Sequence, residues 1–462
     1  MQFVSTRGVA PAFGFREAML AGLAIDGGLY VPKTLPQFSP ADIARFATLS
    51  YEALAFEILH PFTHEAFDAA TLKRMIAKAY GSFRHAAIAP ITQLSQQHFV
   101  LELFHGPTLA FKDFALQLLG EMMEELLKCE TKPTVVLGAT SGDTGSAAIA
   151  GLRGKANLNI VILYPRGRTS EVQRRQMTTV ADANVHALAV DGTFDDCQDM
   201  VKALFADAPF RAQVNLLAVN SINIARVLAQ TVYYFYAACA LGAPARRVNF
   251  CVPTGNFGDI YAGYLARQMG LPMGKLIIAS NRNDILSRCL HTGTYAMQGV
   301  APSHSPSMDI EISSNFERLL FDLYGQQPEI LAAMMQQFRA EKSLTLSPAA
   351  LADFRRLFAA HAVNDTETLA TMQRVHAQCG YLLDPHTAVG IAAAEACEAA
   401  CGELPILTLA TAHPAKFPDA VREAVALTPP LPAHMENLYA LPERINVQEK
   451  NLDALKERVR AL

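Results

Sequence analysis

Lys112 is the residue whose type and setting could support covalent chemistry. It lies in the segment H-G-P-T-L-A-F-K-D-F-A-L-Q-L-L-G, residues 105–120, which is largely apolar and predicts a helix continuing to about Lys128. A desolvated lysine has a lowered pKa, and its neutral amine can form a Schiff base with a carbonyl group. The alternative is a lysine on a partly buried helix that extends its ammonium group to water. The spacing alone leaves both interpretations open.

A hydroxyl-rich turn, V-V-L-G-A-T-S-G-D-T-G-S-A-A-I at residues 135–149, is a candidate anion site. The pattern predicts a strand that ends at Leu137 and a helix that begins near Thr144. Backbone N–H groups at a helix N-terminus bind anions, but Ser and Thr also cap ordinary turns between a strand and a helix. No Lys follows the last glycine, so this is not a Walker A loop. Asp143 must face some other group, such as a hydroxyl.

A second glycine-rich turn lies in V-N-F-C-V-P-T-G-N-F-G-D-I-Y-A-G-Y, residues 248–264. Gly255 and Gly258, with Asn256 between them, suit a loop folded round a phosphate group. The third glycine of a dinucleotide fingerprint is missing at its usual spacing, so the pattern disfavours NAD binding.

The elements that would position these residues alternate between strands and helices. Strand patterns cover residues 134–137, 160–164, 185–190, 248–252, 276–279 and 405–410, with longer helical patterns between most of them. Short apolar strands separated by helices predict an α/β fold with parallel sheets covered by helices on both faces. Helical patterns also cover residues 40–80, 330–342, 348–360 and 447–462. The stretch of about 302–379 shows helical periodicity alone and is predicted to be a helical insertion.

Composition excludes several classes of protein. The chain has 462 residues, 51% of them hydrophobic, and its 39 Lys and Arg against 43 Asp and Glu give a net charge of −4. This balance disfavours nucleic acid as a partner. The longest apolar run, residues 227–241, contains Gln230, Thr231 and several tyrosines, so we expect no membrane span. The N-terminus lacks the apolar core of a signal peptide. The 8 scattered cysteines, without a CxxC pair, indicate a reduced, cytoplasmic protein.

Other candidate side chains do not form a predicted site. Cys397 and Cys401 share a helix face, but without a nearby His or second Cys pair they predict packing and no metal site. His413 and His105 could each line an active site or form a structural hydrogen bond, and the sequence leaves both alternatives open.

Short segments along the chain carry a family resemblance. They are S-T-R-G at residues 5–8, D-G-G-L-Y-V-P at 26–32, G-P-T-L-A-F-K-D at 106–113, G-A-T-S-G-D-T-G-S-A-A at 138–148, N-S-I-N-I-A-R at 220–226, P-T-G-N-F-G-D at 253–259 and A-T-A-H-P-A-K-F at 410–417. Together they resemble the threonine synthase family, pyridoxal-phosphate enzymes of the tryptophan-synthase-β (type II) fold. The resemblance implies two doubly wound, mostly parallel α/β domains. We expect an N-terminal family-specific region at 1–95, a smaller domain at 96–230, and a larger domain at 231–462 that includes the helical insertion.

The resemblance also implies roles at the cofactor. Lys112 would bind pyridoxal phosphate and then move protons between substrate carbons. The loop residues Gly255, Asn256, Phe257, Gly258 and Asp259 would hold the cofactor phosphate. Thr411 would face the pyridine nitrogen. Asp143 stands where many relatives in the wider superfamily have an Asn bonded to the ring hydroxyl, so its contact is less well defined by the resemblance.

The implied substrate is O-phospho-L-homoserine. Asn220, Ser221 and Arg226 match the family's substrate-phosphate contacts, and Ser141 and Thr144 would contact the substrate carboxylate or phosphate. The implied reaction is γ-elimination of phosphate followed by addition of water at the β-carbon, which gives L-threonine. The implied state is a cytoplasmic monomer or homodimer with no nucleic-acid or membrane partner.

Alternative functions stay open beside this one. An elimination-only phospho-lyase or a serine/threonine dehydratase of the same fold would use similar loops, although the N-terminal region and the segment at 220–226 argue against a dehydratase. A non-catalytic phospho-ligand binding protein would be expected to have lost Lys112, which is present.

Overall fold

The fold is built on two mainly parallel sheets, seen in a computed structural model that describes residues 1–130, 132 and 134–462. The strands, in chain order, are β1 (Phe3–Ser5), β2 (Tyr30–Pro32), β3 (Ile91–Gln93), β4 (His98–Glu102), β5 (Thr134–Ala139), β6 (Leu158–Pro165), β7 (Val185–Val190), β8 (Asn215–Ala218), β9 (Val248–Pro253), β10 (Met273–Ser280), β11 (Thr294–Ala296), β12 (Ser343–Thr345), β13 (Phe358–Ala362), β14 (Ile406–Ala410) and β15 (Asn446–Gln448).

The helices connect these strands and cover the sheets. In chain order they are α1 (Phe15–Ala21), α2 (Pro40–Phe46), α3 (Tyr51–Thr63), α4 (Ala69–Tyr80), α5 (Lys112–Leu126), α6 (Asp143–Leu152), α7 (Glu171–Thr178), α8 (Phe194–Ala206), α9 (Ala208–Gln213), α10 (Ile224–Ala240), α11 (Gly258–Gln268), α12 (Ile285–Thr292), α13 (Phe316–Leu323), α14 (Pro328–Glu341), α15 (Pro348–Leu357), α16 (Asp365–Cys379), α17 (Pro385–Ala396), α18 (Glu398–Cys401), α19 (Pro418–Val425) and α20 (Leu452–Arg460).

The larger sheet has six strands in the order β13-β10-β9-β14-β4-β3, and the smaller has five in the order β15-β7-β6-β5-β8. All pairs are parallel except β3 with β4. Strands β5, β6 and β9 are buried along almost their whole length, which explains their continuous apolar sequences, because helices cover both faces of a parallel sheet. The predicted α/β class is confirmed.

The N-terminal region packs against the core through helices. The β1–β2 pair is antiparallel, and α3 and α4 pack against α10 and α5. Ser39, Ser50 and Asp68 cap the N-termini of α2, α3 and α4 through their side chains, so the helical pattern predicted over residues 40–80 is interrupted where those caps occur. This packing supports α5, the helix that begins with Lys112.

The prediction of a purely helical insertion at 302–379 is wrong. Strand β13 lies inside it and forms the edge of the larger sheet, paired with β10 from Leu276↔Phe358 onward. The helix predicted over 348–360 ends at Leu357. The β13 sequence F-A-A-H-A has no β-branched residue, so its strand conformation depends on pairing with a distant segment and not on local preference.

The sheets also cross the predicted domain boundaries. Strand β4 lies in the larger sheet beside β14, and β15 extends the smaller sheet beside β7. The smaller sheet is therefore completed by residues 446–448, far from its other strands in the sequence. Among the residues that the structure describes, no helix is long and apolar enough to cross a membrane.

Candidate active site

A cavity beside the C-terminal ends of strands from both sheets contains most of the predicted site residues. Its lining includes Lys112, Ser141, Thr144, Ser221, Arg226, Gly255, Asn256, Phe257, Gly258, Asp259 and Thr411. The cavity has about 150 Å³ of free volume, and since one water needs roughly 10–15 Å³, it has room for a small organic molecule. Two predicted residues are not in this lining: Asp143 lies behind Lys112, and Asn220 lies beside Arg226.

Lys112 is positioned by the segment that follows β14. The backbone N–H of Phe111 donates to the carbonyl oxygen of Thr411 at 2.9 Å, and Ala110 pairs with Ala412 in an antiparallel bridge. These contacts place the first residue of α5 next to the residue predicted to face the pyridine nitrogen. Lys112 is buried.

Asp143, the first residue of α6, collects four donors on its carboxylate. Oδ2 accepts from Lys112 Nζ at 3.1 Å and from Ser307 Oγ at 3.0 Å. Oδ1 accepts from Gln173 Nε2 at 2.8 Å and lies 2.9 Å from Lys416 Nζ. Burial alone would raise the pKa of Asp143, but the two lysines and these hydrogen bonds hold it well below its usual range. The carboxylate is ionised in the site.

The ammonium group of Lys112 is less favoured than usual. Burial lowers its pKa, the positive charges of Arg226 and Lys416 lower it further, and Asp143 opposes both effects. A lowered pKa increases the fraction of neutral amine, which is the nucleophilic form. The functional interpretation of Lys112 is therefore favoured over a lysine that extends to water.

The glycine-rich turn at residues 255–259 lines one part of the cavity. Phe257 has φ 62°, in the left-handed region, and precedes α11, so the chain turns sharply just before the helix. Within the described part of the chain, the N–H groups of residues 255–259 find no acceptor. A Cβ atom at Gly255 would lie 3.1 Å from the carbonyl oxygen of Ser307, so the loop also approaches the opposite wall closely. Free N–H groups at a helix N-terminus fit a phosphate.

Asp259 is buried behind this loop. Its Oδ1 accepts from the hydroxyl of Tyr233 at 2.5 Å and of Tyr234 at 2.9 Å, while Oδ2 has no hydrogen bond among the described residues. Burial raises its pKa to about 6 despite the two tyrosine donors. Asp259 thus anchors α11 to α10.

Arg226 is a buried cation without a carboxylate partner in the described residues. Its one side-chain hydrogen bond to a described residue runs from Nη1 to the carbonyl oxygen of Asn220 at 3.4 Å, and burial lowers its pKa to about 10. The side-chain oxygen of Asn220 accepts from the N–H of Ile222 at 3.1 Å, which shapes the turn before α10. Asn220 thus contacts Arg226 through its backbone.

Three hydroxyl groups face the cavity beside this arginine. Ser141, Thr144 and Ser221 line the wall, and their hydroxyls have no hydrogen-bond partner among the residues described. The neighbouring Thr140 has a different function, because its Oγ1 accepts from the N–H groups of Gly142 and Gly145 at 2.9 Å each. It shapes the turn, and the other hydroxyls remain available to a ligand.

Sequence reasoning missed Lys416, although it lies in a quoted motif. Lys416 is fully buried, donates to the carbonyl oxygen of Thr108 at 2.7 Å, and lies 2.9 Å from Asp143 Oδ1. The sequence signal was a lysine in a short apolar segment after a buried strand, the same signal that drew attention to Lys112.

Ser307 and His386 were also missed. Both line the cavity, and the N–H of Ser307 donates to His386 Nε2 at 3.2 Å. Nε2 is therefore an acceptor, and Nδ1 carries the proton towards Asp384 Oδ1 at 2.8 Å. Their positions depend on the approach of residues 306–310 to α17, which no local pattern predicts.

The two ambiguous histidines lie outside this cavity, in a neighbouring one. His413 Nδ1 accepts from the N–H of Ala415 at 3.1 Å, and burial lowers its pKa to about 4. His105 bonds Glu102 at 2.7 Å. Their observed contacts are structural. Cys397 and Cys401 are buried in one apolar cluster, and the described residues contain no group of three or more His, Cys, Asp or Glu side chains that could hold a metal ion.

Comparisons with known proteins agree with this geometry. Residues 2–80 match the family described as threonine synthase N terminus, residues 85–352 match pyridoxal-phosphate dependent enzyme, and residues 387–459 match threonine synthase, C-terminal. The threonine synthase of Pseudomonas aeruginosa is 52% identical over 453 residues, which cover 98% of this chain and 96% of that protein.

Solved structures extend the similarity to the whole fold. The PLP-bound threonine synthase from Brucella melitensis is 51% identical, with a TM-score of 0.97 over 100% of this chain and 99% of that chain. Threonine synthase from yeast is 41% identical, with a TM-score of 0.94 over 99% of this chain and 98% of that chain. The chain belongs to the threonine synthase family of pyridoxal-phosphate-dependent enzymes.

Proposed function

We propose that the protein converts O-phospho-L-homoserine and water to L-threonine and phosphate. The observation that carries the proposal is the presence of Lys112 and Arg226 in one cavity, the first with a lowered pKa and the second buried without a carboxylate partner among the described residues. A buried guanidinium costs free energy unless an anion pairs with it, and a substrate phosphate supplies that anion. Its planar fork forms paired, charge-assisted bonds to phosphate oxygens.

The residues present fit pyridoxal phosphate. The free N–H groups of residues 255–259 would hold the cofactor phosphate, and Lys112 would bind the aldehyde carbon. Thr411 would face the pyridine nitrogen with a hydroxyl, which supports less positive charge there than a carboxylate would. When bound, the cofactor stabilises negative charge on carbons next to the substrate nitrogen.

The protein's own groups would bind, orient and move protons. Lys112 Nζ, once free, accepts a proton from the substrate and returns it to a neighbouring carbon, a function that its lowered pKa favours. Arg226, Ser221 and Asn220 would hold the substrate phosphate, with Asn220 acting beside the arginine. Ser141 and Thr144 would contact the substrate carboxylate or phosphate with hydroxyls that are otherwise unpaired in the described structure.

One experiment separates this function from its alternatives. The purified protein is incubated with O-phosphohomoserine, and both phosphate and threonine are measured. We expect equal amounts of both products. Phosphate without threonine would instead identify an elimination-only phospho-lyase, and formation of a keto acid from serine or threonine would identify a dehydratase. Lys112→Ala should lose the cofactor absorbance band and turnover, and a variant that keeps both would refute the assigned role.

The role of Arg226 has its own test. Arg226→Ala should raise KM for the phosphorylated substrate about 10–100-fold, the cost of charge-assisted hydrogen bonds worth roughly 1.5–3 kcal/mol. Cofactor retention should change much less. Equal losses of substrate and cofactor binding would show that Arg226 has a structural function.

Three further predictions belong to this proposal. We propose a cytoplasmic location, a monomer or homodimer, and a small-molecule substrate as the ligand, with neither nucleic acid nor membrane as a partner. The weakly acidic net charge of −4 supports the exclusion of nucleic acid. The division into an N-terminal region at 1–95, a smaller domain at 96–230 and a larger domain at 231–462 is also a proposal. In it, β4 contributes to the larger sheet and β15 to the smaller sheet.

A further inference from the structure

Asp143 is shared by two buried lysines, one on each carboxylate oxygen. Lys112 Nζ lies 3.1 Å from Oδ2, and Lys416 Nζ lies 2.9 Å from Oδ1. An amide at position 143 would remove the carboxylate that both lysines share. The ammonium group of Lys416 therefore offsets the negative charge of the Asp143 carboxylate.

We infer that Lys416 is a positioning residue that neutralises Asp143 and holds it against Lys112, so that Asp143 and Lys416 act as one neutral unit beside the reactive amine. Asp143 can then accept a hydrogen bond at the cofactor without adding a net negative charge to the cavity floor.

The fixed position of Lys416 supports this inference. Its side chain is fully buried, so the ammonium group cannot turn towards water. It also donates to the carbonyl oxygen of Thr108 at 2.7 Å. Thr108 is held in turn by Asp113, which accepts from its N–H at 2.8 Å and from its hydroxyl at 2.7 Å. Lys416 therefore links Asp143 to the loop that carries Lys112.

The charged groups around Lys112 determine whether each substitution raises or lowers the pKa of its amine. Asp143 favours its ammonium form, while Arg226 and Lys416 oppose it. Asp113, which holds Thr108, also interacts electrostatically with Lys416 and adds a further negative charge near it. Loss of Lys416 alone leaves Lys112 as the one lysine on Asp143, which strengthens their pairing. Loss of the carboxylate alone leaves two buried cations together.

A double-mutant cycle tests the unit in the full-length holoenzyme. The variants are Lys416→Met, Asp143→Asn and the double variant, with Lys155→Met as the control. Lys155 is also buried, and it lies 2.9 Å from Glu124 in a cluster outside the cavity. Thermal unfolding and the pH dependence of the cofactor absorbance are measured for each.

We expect each single variant at the site to lower the unfolding midpoint by several degrees, and the double variant to lose less than the sum. Lys416→Met should shift the pH midpoint of the absorbance change upward, and adding Asp143→Asn should reverse this shift. Lys416→Met should also lower kcat about 10–100-fold, because a group that orients a neighbouring functional residue is lost. Lys155→Met should destabilise the protein without shifting the absorbance midpoint.

Additive losses in the cycle, or an absorbance midpoint that Lys416→Met leaves unchanged, would overturn the inference. The absorbance measurement rests on the proposed role of Lys112, whereas the unfolding cycle does not. A cofactor band that does not depend on Lys112 would therefore refute the proposed function. Unfolding losses that show no coupling between the two substitutions would refute only this inference.

Discussion

The guanidinium of Arg226 donates to the carbonyl oxygen of Asn220 at 3.4 Å, and within the described residues this is the one side-chain hydrogen bond of this buried arginine. Arg318 is a contrasting case. It is fully buried, and it donates to the carbonyl oxygens of Tyr30 at 3.0 Å and Ile222 at 2.6 Å and to the side chain of Asn315. The two arginines share burial and differ in pairing.

Arg226→Leu should therefore stabilise the protein while it weakens binding of the phosphorylated substrate. Removing a buried charge without a counter-ion should raise the free energy of unfolding by about 1–2 kcal/mol in the absence of phosphate. Arg318→Leu should lower it by about 3–5 kcal/mol, because its acceptors lose their donor. Urea denaturation checks both values. Inorganic phosphate should stabilise the wild type and not Arg226→Leu, and a loss of stability in that variant would refute the unpaired state.

Asp259→Asn should flatten the pH dependence of stability between about pH 4 and 6. The pKa of Asp259 is raised to about 6 from 3.8, so over this window the native state keeps a proton that the unfolded chain has released. Stability from this residue is therefore present below about pH 4 and falls by about 2–3 kcal/mol as the pH rises to 6. Asparagine stays neutral and can still accept from Tyr233 and Tyr234.

The measurement is urea denaturation of the cofactor-free protein at pH 4.5 and pH 7. The difference between the free energies of unfolding at the two pH values should be smaller in Asp259→Asn than in the wild type. Asp42→Asn is the control, because Asp42 is exposed in a helix cap with a lowered pKa and stays ionised at both pH values. An unchanged difference in Asp259→Asn would show that this carboxyl titrates normally.

Gly106→Ala should displace the loop that carries Lys112. A Cβ atom there would lie 2.5 Å from both Cβ and Oδ2 of Asp113, which is buried and holds Thr108. We expect kcat to fall at least about 100-fold, since small displacements of a catalytic group have such effects. Gly14→Ala is the control, because its Cβ would meet at 2.9 Å only the carboxylate end of Glu17, which can rotate away. Equal kcat values in the two variants would contradict the prediction.

Leu455→Ala should destabilise the smaller sheet. Leu455 on α20 is fully buried and packs in a cluster with Leu204 and Phe210. Its truncation should cost about 2–5 kcal/mol of unfolding free energy. Leu452→Ala on the same helix should cost less than about 0.5 kcal/mol, because Leu452 is 39% exposed. Denaturant unfolding distinguishes them, and similar costs would mean that α20 does not contribute to the core.

Local patterns singled out Lys112 and the loop at 255–259 as candidates, and both line the cavity, but the spacing alone did not decide whether Lys112 is a reactive residue. Lys112 and the loop at 255–259 begin helices, and the buried strands before such turns have continuous apolar sequences. The glycine and hydroxyl residues of these turns indicated anion binding. The family resemblance then assigned the individual cofactor and substrate contacts.

Residues that reach the site through tertiary contacts could not be predicted in this way. Lys416 meets Asp143, and Ser307 meets both Asp143 and His386, across large sequence separations. Strand β13 was missed for the same reason, because its conformation depends on β10. A single sequence shows residue types and local spacing, and it does not show which distant segments pack together.

The late position of β15 in the sequence has a consequence for biosynthesis. Strand β7 at Val185–Val190 pairs with Asn446–Gln448. During synthesis on the ribosome, this edge of β7 therefore stays unpaired until residues 446–448 have been translated. At about 5–20 residues per second this interval is on the order of 10–50 s. An uncovered strand edge is a template for association with other chains. The nascent protein is therefore most exposed to aggregation, and most dependent on chaperones, while the larger sheet is still being translated.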